Sequence, residues 1–106
     1  MNSLKNKSCV AFSGTVPALQ DMAALALLEQ VPGWAVMDQR LSKTYKFKNF
    51  VEALAFVNKV GALAERENHH PDIFLSWGKV KIDTWTHVAN GLTENDFILA
   101  AKIDLL

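Results

Sequence analysis

Apolar residues along this chain recur with two different periods, and each period predicts a different kind of element. The segment 17–31 is rich in alanine and leucine, which are strong helix formers. Its apolar residues fall on one stripe at helical spacing, so we predict a helix that ends before Pro32 and Gly33. The stripe comprises Leu19, Met22, Ala23, Ala26 and Leu27.

A second, longer helix is predicted over residues 50–67. Asn49 provides a side-chain cap, and Glu52 places an acid at the third helical position. Pro71 prevents continuation of the helix and moves His70 out of the helical region. Apolar residues within the helix repeat at alternating intervals of four and three, and they are Phe50, Leu54, Val57, Gly61 and Ala64.

Short segments with β-branched or aromatic residues predict two β-hairpins. The first hairpin pairs residues 34–38 with 43–47 across a polar turn. The second pairs residues 72–77 with 80–86 across Gly78 and Lys79. A glycine in the first position of a two-residue loop suits a type II′ turn.

The order of elements is helix, two strands, helix, two strands and helix. Thr93 caps the last helix, and Glu94 and Asp96 lie in its first turn, where the helix dipole favours acids. Hairpins make antiparallel sheets, and the apolar faces of the helices must cover one side. The predicted fold class is therefore α+β, a four-stranded antiparallel sheet with three helices packed on one face.

Composition and charge narrow the classes of function. The 106 residues carry 11 lysines and arginines and 11 aspartates and glutamates, so the net basic charge typical of nucleic-acid binding is absent. No apolar run approaches the roughly 20 residues of a membrane span. Cys9 is the single cysteine, which excludes an intramolecular disulfide and favours a reducing compartment. We expect a cytoplasmic protein with one domain over 17–106 and a partly disordered tail over 1–16.

The three histidines lie at the ends of predicted elements, where functional side chains are common. His69 and His70 follow the long helix, and His87 follows the last strand. One interpretation is structural, because cations are favoured near a helix C-terminus. Another is metal binding, but three histidines without a placed carboxylate make an incomplete tetrahedral set, and we expect no metal. The third is acid–base chemistry, since imidazole exchanges protons near neutral pH.

An ordered set of residues surrounds the histidines. An acid is followed by His-His-Pro, then by an aromatic residue, a further histidine and an aspartate; these are Glu65, His69, His70, Pro71, Trp77, His87 and Asp96. The set resembles the pattern of the pterin-4a-carbinolamine dehydratase family. Segments 32–34, 43–50 and 91–104 also resemble that family, so the likeness covers about residues 19–106.

The resemblance implies an activity. Members of the family remove water from the 4a-hydroxytetrahydropterin that aromatic amino acid hydroxylases release, and the product is quinonoid dihydropterin. The resemblance assigns His69 and His87 as an acid–base pair and His70 as the residue that binds and orients the pterin. It implies no cofactor beyond the pterin substrate.

The resemblance also implies which residues bind the substrate and which support the site. Trp85 and Val88 depart from the family pattern, which commonly has Ser or Thr at the first position and a polar or acidic residue at the second. Only backbone contacts are therefore carried over there. Trp34 is expected in the core or pocket wall, Glu65 as a solvated or interface charge, and Asp96 as structural support. The binding set is Asn68, His69, His70, Pro71, Trp85, Thr86, His87 and Val88.

The resemblance extends to partners. It implies a homodimer or homotetramer built through helices and a functional link to an aromatic amino acid hydroxylase. The balanced charge and the lack of a long apolar run predict no direct contact with nucleic acid or membrane. The alternative function is a non-enzymatic oligomerisation or regulatory partner of another protein, because a mammalian member also serves a transcription factor as dimerisation cofactor. The complete set of three histidines favours the enzyme, since a pure scaffold does not need it.

Overall fold

A computed structural model describes residues 3–12 and 14–106. Within these residues the helices and strands alternate in the predicted order. They are α1 (Asp21–Leu28), β1 (Ala35–Met37), β2 (Arg40–Lys46), α2 (Phe50–Glu67), β3 (Asp72–Ser76), β4 (Lys79–Thr84) and α3 (Glu94–Ile103). Two short 3₁₀ helices, Leu4–Asn6 and His87–Ala89, lie before α1 and before α3. None of the helices in the described part of the chain is long and apolar enough to span a membrane.

The four strands form one antiparallel sheet in the order β1-β2-β4-β3. The central pair, β2 and β4, runs in register from Leu41 opposite Thr84 to Lys46 opposite Lys79. The helices α2 and α3 contact one face of this sheet. The other face carries ion pairs, such as Lys81 with Asp83 at 3.6 Å. The structure confirms the predicted α+β class.

Both hairpin turns differ from the prediction. The first turn is shorter than predicted, and the second begins one residue earlier. The first consists of Asp38 and Gln39, whose φ angles of 51° and 62° are those of a type I′ turn. The second consists of Trp77 and Gly78, because Ser76 pairs with Lys79, so the predicted turn was wrong by one residue. Gly78 is required there, since an added Cβ would lie 2.8 Å from the Phe47 carbonyl oxygen.

The predicted bounds of α2 are confirmed, and its ends explain them. Asn49 Oδ1 accepts a hydrogen bond from the Glu52 N–H at 2.9 Å, which caps the first turn. At the other end Asn68 adopts the left-handed conformation, with φ 53° and ψ 42°. The His69 N–H then donates to the Ala64 carbonyl at 3.2 Å. This C-terminal cap turns the chain sharply before Pro71 and directs the two histidines away from the helix axis.

The buried faces of the first two helices differ from the predicted stripes. In α2 the predicted Phe50 and Leu54 are 43% and 40% exposed. In α1 the predicted Met22 is 84% exposed, whereas Ala24 is buried. Both helices carry apolar residues on more than one face, so their periodicity does not determine which face packs inward. The buried residues of α2 are Ala53, Phe56, Val60, Leu63 and Ala64.

Part of the N-terminal segment packs against the domain. Leu4 is 2% exposed and belongs to the hydrophobic core, where its short helix contacts α3. The Cys9 N–H donates to Glu67 Oε1 at 2.9 Å. Residues 1, 2 and 13 of the predicted tail lie outside the described residues. Partial disorder of residues 1–16 therefore stays a prediction, but several of these residues make defined contacts.

We expect Leu4→Ala to lower the free energy of unfolding by about 2–5 kcal/mol, because it removes a buried side chain and leaves a cavity. Leu25→Ala is the matched control, since Leu25 is 60% exposed. Urea denaturation followed by circular dichroism measures both. Coincident unfolding curves for the two variants would show that the N-terminal segment does not pack on the core.

Candidate active site

The three histidines line a single cavity of about 340 Å³. Every residue predicted to bind substrate, apart from Pro71, lies in its lining: Asn68, His69, His70, Trp85, Thr86, His87 and Val88. Four further residues complete it, and sequence reasoning missed them: Val10, Ala11, Phe12 and Asn95. Of the predicted supporting residues, Trp34, Glu65 and Asp96 are outside the lining.

Strand pairing explains why the histidines meet. β3 and β4 are antiparallel, and Asp72 at the start of β3 lies opposite Asp83 near the end of β4. The residues that precede β3 and those that follow β4 are therefore at the same edge of the sheet. After β4, the Thr86 N–H donates to the Gly91 carbonyl at 2.8 Å and closes a short loop that contains His87. One end of the sheet thus brings together both histidine segments.

Asp96 is a fully buried carboxylate in the first turn of α3. Its Oδ1 accepts from the Thr84 hydroxyl and contacts His69 Nε2, both at 2.7 Å. Its Oδ2 accepts from the Thr86 hydroxyl at 2.8 Å and from the Thr93 N–H at 3.0 Å. Four polar groups therefore surround the carboxylate, which meets the requirement that a buried charge be hydrogen-bonded.

This arrangement defines the orientation of His69, whose side chain is 11% exposed. An ionised carboxylate only accepts hydrogen bonds, so Nε2 must donate to Asp96. In the neutral imidazole, Nδ1 is then the nitrogen that can accept a proton. A buried carboxylate that sets the tautomer and angle of a histidine is a recurrent way to prepare that ring for proton transfer.

The other two histidines are more exposed and have different neighbours. His70 Nε2 lies 2.5 Å from Glu65 Oε2, and the two side chains are 54% and 79% exposed. The ring of His87 stacks on Trp85, with centroids 4.0 Å apart and planes inclined by 21°. Adjacent His69 and His70 therefore pair with different carboxylates, and His87 presents a flat aromatic surface next to the cavity.

Trp34 is buried in the core and does not line the histidine cavity. It is 5% exposed, and its Nε1–H donates to Asp104 Oδ2 at 3.0 Å. Lys43 and Tyr45 also bond to Asp104, which joins the start of β1, strand β2 and the end of α3. Burial and the hydrogen bond to Asp104 raise the pKa of Tyr45. Trp34 itself lies in the hydrophobic core, which is one of the two places expected for it, and its partner Asp104 lies at the surface.

Within residues 3–12 and 14–106, no group of three or more histidine, cysteine, aspartate or glutamate side chains is arranged to hold a metal ion. Metal independence of any activity stays a prediction.

The sequence profile of the family described as Pterin 4 alpha carbinolamine dehydratase matches residues 17–106. The chain belongs to this family. A relative from Rubrobacter xylanophilus is 50% identical over 107 residues, with full coverage of both chains. Another from Dechloromonas aromatica is 42% identical, over 98% of this chain and 93% of the relative. Both carry the provisional name pterin-4-alpha-carbinolamine dehydratase.

Solved structures agree with this assignment. A Brucella melitensis protein described as a transcriptional coactivator/pterin dehydratase superposes with a TM-score of 0.79 and 30% identity, over 83% of this chain and 96% of its own. A pterin dehydratase-like protein identified as a RuBisCO assembly factor in the alpha-carboxysome gives a TM-score of 0.56 and 25% identity, over 68% and 83%. Members of the pterin dehydratase fold are thus described with catalytic and with assembly roles.

We expect Asp96→Asn to destabilise the fold by about 1–3 kcal/mol, because the new amide N–H₂ group must face existing hydrogen-bond donors. The Thr93 N–H and the Thr84 hydroxyl lie on opposite carboxylate oxygens, so neither amide orientation satisfies both. Asp21→Asn, at an exposed position in α1, is the matched control. Chemical denaturation compares the variants, and equal stability of all three proteins would contradict the burial of a charged Asp96.

Proposed function

We propose that the chain removes water from 4a-hydroxytetrahydropterin to give quinonoid dihydropterin, and so recycles the pterin cofactor of aromatic amino acid hydroxylases. Membership of the pterin carbinolamine dehydratase family supports this class of enzyme. The observation that carries the proposal is the single cavity lined by His69, His70 and His87. We further propose a cytoplasmic location, where the lone Cys9 stays reduced.

The elimination requires two proton transfers. The C4a–O bond breaks as the hydroxyl leaves with an added proton as water, and a ring nitrogen loses its proton as the new C=N bond forms. Imidazole, with a reference pKa of about 6.5, serves as donor or acceptor at neutral pH. No electron leaves the pterin, so the reaction needs only an acid, a base and a surface that holds the ring.

His69 and His87 supply the proton transfers in this proposal, and His70 binds and orients the pterin. The bond between His69 Nε2 and Asp96 leaves Nδ1 as the proton-exchanging nitrogen. His87 is exposed and is supported by Trp85 behind it. A cavity of about 340 Å³ is at the lower end of ligand pockets, as suits a flat bicyclic ring.

Replacement of either His69 or His87 by Ala is expected to lower kcat by roughly 10² or more, because each removes one proton transfer. The double variant should lose much less than the product of the two, since groups that act as a unit are not additive. His70→Ala should raise KM more than it lowers kcat, as expected for lost uniform binding. The assay uses enzymatically generated 4a-hydroxytetrahydropterin and follows formation of the quinonoid product.

Thermal melts monitored by circular dichroism control for folding. Because His70 and His87 are exposed, their alanine variants should have the same melting temperature as the wild-type protein. A folded His87→Ala protein that keeps near-full kcat at saturating substrate would remove His87 from the chemistry.

A second function has specific support. Helix α2 exposes Phe50, Val51 and Leu54 in its first turns, and such apolar surface is typical of protein contacts. The solved relatives described as a coactivator and as an assembly factor carry the same fold. The alternative is therefore a non-enzymatic oligomerisation or regulatory partner of another protein. Absence of carbinolamine turnover by a folded wild-type protein would favour it.

We also propose that the chain forms a homodimer or homotetramer through this face of α2. Leu54→Lys should then reduce the mass measured by analytical ultracentrifugation at micromolar concentration, because a charge would be buried at the contact. Met22→Lys in α1 is the control, since Met22 is apolar and 84% exposed. A wild-type protein that sediments as a monomer would end this proposal.

A further inference from the structure

The N-terminal segment is anchored beside the cavity by side chains of two helices. The Val10 N–H donates to Asn95 Oδ1 at 2.9 Å, and Asn95 Nδ2 donates back to the Val10 carbonyl at 2.8 Å. One residue earlier, the Cys9 N–H donates to Glu67 Oε1 at 2.9 Å. The backbone of residues 9 and 10 is thus hydrogen-bonded to side chains from the first turn of α3 and the last turn of α2.

Both anchors are well packed. Asn95 is 3% exposed, and the Glu67 side chain is 9% exposed with Lys102 Nζ at 3.6 Å. The Cys9 thiol donates to the Asn95 carbonyl at 3.5 Å. Burial and the nearby Glu67 carboxylate raise the pKa of Cys9 to about 12, which keeps the thiol protonated as a donor at neutral pH.

Each anchor is adjacent in sequence to a residue of the histidine site. Asn95 directly precedes Asp96, whose carboxylate orients His69. Glu67 directly precedes Asn68, which lines the cavity and ends α2. The groups that orient the histidines and those that hold the N-terminal segment therefore share the same two helix ends.

The anchored segment separates two spaces. Val10, Ala11 and Phe12 line the histidine cavity, and Val10, Phe12 and Asn95 also line a neighbouring cavity of about 360 Å³. Without residues 10–12 the two spaces would be continuous, and the histidine cavity would lose one side of its lining. Val10 and Phe12 also add apolar surface to a site whose other residues are mainly polar or aromatic.

We propose that residues 10–12 form a wall of the substrate site and that Asn95 is the positioning residue of this wall. The inference rests on the proposed dehydratase function and specifies how the site selects a flat reduced pterin. The wall contacts the ring in the ground state and the transition state alike and transfers no proton. It therefore contributes to KM, as His70 does, whereas His69 and His87 set kcat.

The test compares Asn95→Ala and Phe12→Ala with the full-length wild-type chain. We expect Asn95→Ala to raise KM for the carbinolamine about tenfold with kcat changed less than about twofold, because two hydrogen bonds to the wall are lost. Phe12→Ala should raise KM without any change in α3. Asn95→Asp keeps the acceptor for the Val10 N–H but places a carboxylate oxygen against the Val10 carbonyl, so its KM should rise at least as much as that of Asn95→Ala.

Two measurements separate the wall from a structural role of Asn95. Calorimetry under anaerobic conditions with 7,8-dihydropterin, which has no 4a-hydroxyl to lose, should give weaker binding that parallels the rise in KM. Hydrogen exchange should accelerate at the Val10 amide in Asn95→Ala, whereas the Cys9 amide, bonded to Glu67, should keep its protection. Asn58→Ala, at an exposed position in α2, is the matched control and should match wild type throughout.

The outcomes are distinct. If KM is unchanged in both Asn95→Ala and Phe12→Ala while the wild-type protein turns over normally, residues 10–12 do not form a wall of the substrate site. The dehydratase function would remain intact. A fall in kcat with KM unchanged in Asn95→Ala would also overturn the proposed wall, since Asn95 would then act through Asp96. A wild-type protein that neither turns over carbinolamine nor binds dihydropterin would overturn both proposals.

Discussion

The burial of the Asp96 carboxylate is the constraint on which the rest of the structure depends. A charge removed from water must find hydrogen-bond donors, and a donor left unpaired beside it costs about 1–3 kcal/mol. The partners come from four places: the end of β4, the loop after it, the cap of α3 and the segment after α2. The sheet and two helices must meet in one arrangement before the carboxylate is satisfied. The orientation of His69 is a by-product of that requirement.

Much of the fold follows from local signals in the sequence. The Asn49 cap and Pro71 bound α2 at the residues predicted. These signals are strong because one is a hydrogen bond and the other a steric restriction, and both act within a few residues of the chain. The buried helix faces were predicted poorly because α1 and α2 are apolar on several sides. Tertiary packing, which the periodicity does not report, determines which of these sides is buried.

The site could be predicted only in part. The histidine pattern places His69, His70 and His87 at element ends, and its resemblance to a family groups them. No comparable signal marks Val10 or Asn95, because their contact joins a side-chain amide to a backbone far away in sequence. Such a bond depends on where the chain runs after folding and leaves no spacing to detect. Asp96 illustrates an intermediate case, since its capping role was visible but its bond to His69 was not.

The order of the elements has a consequence for how the chain folds during synthesis. Helix α3 is the last helix of this sequence, and seven of its ten residues are buried: Asn95, Asp96, Phe97, Ile98, Leu99, Ala100 and Ile103. Until it leaves the ribosome, the Thr84 and Thr86 hydroxyls lack their acceptor and Leu4 lacks the surface it packs against. The nascent chain therefore emerges with an open sheet face and no finished cavity. Packing of α3 therefore completes both the core and the pocket, because the same helix contributes residues to each.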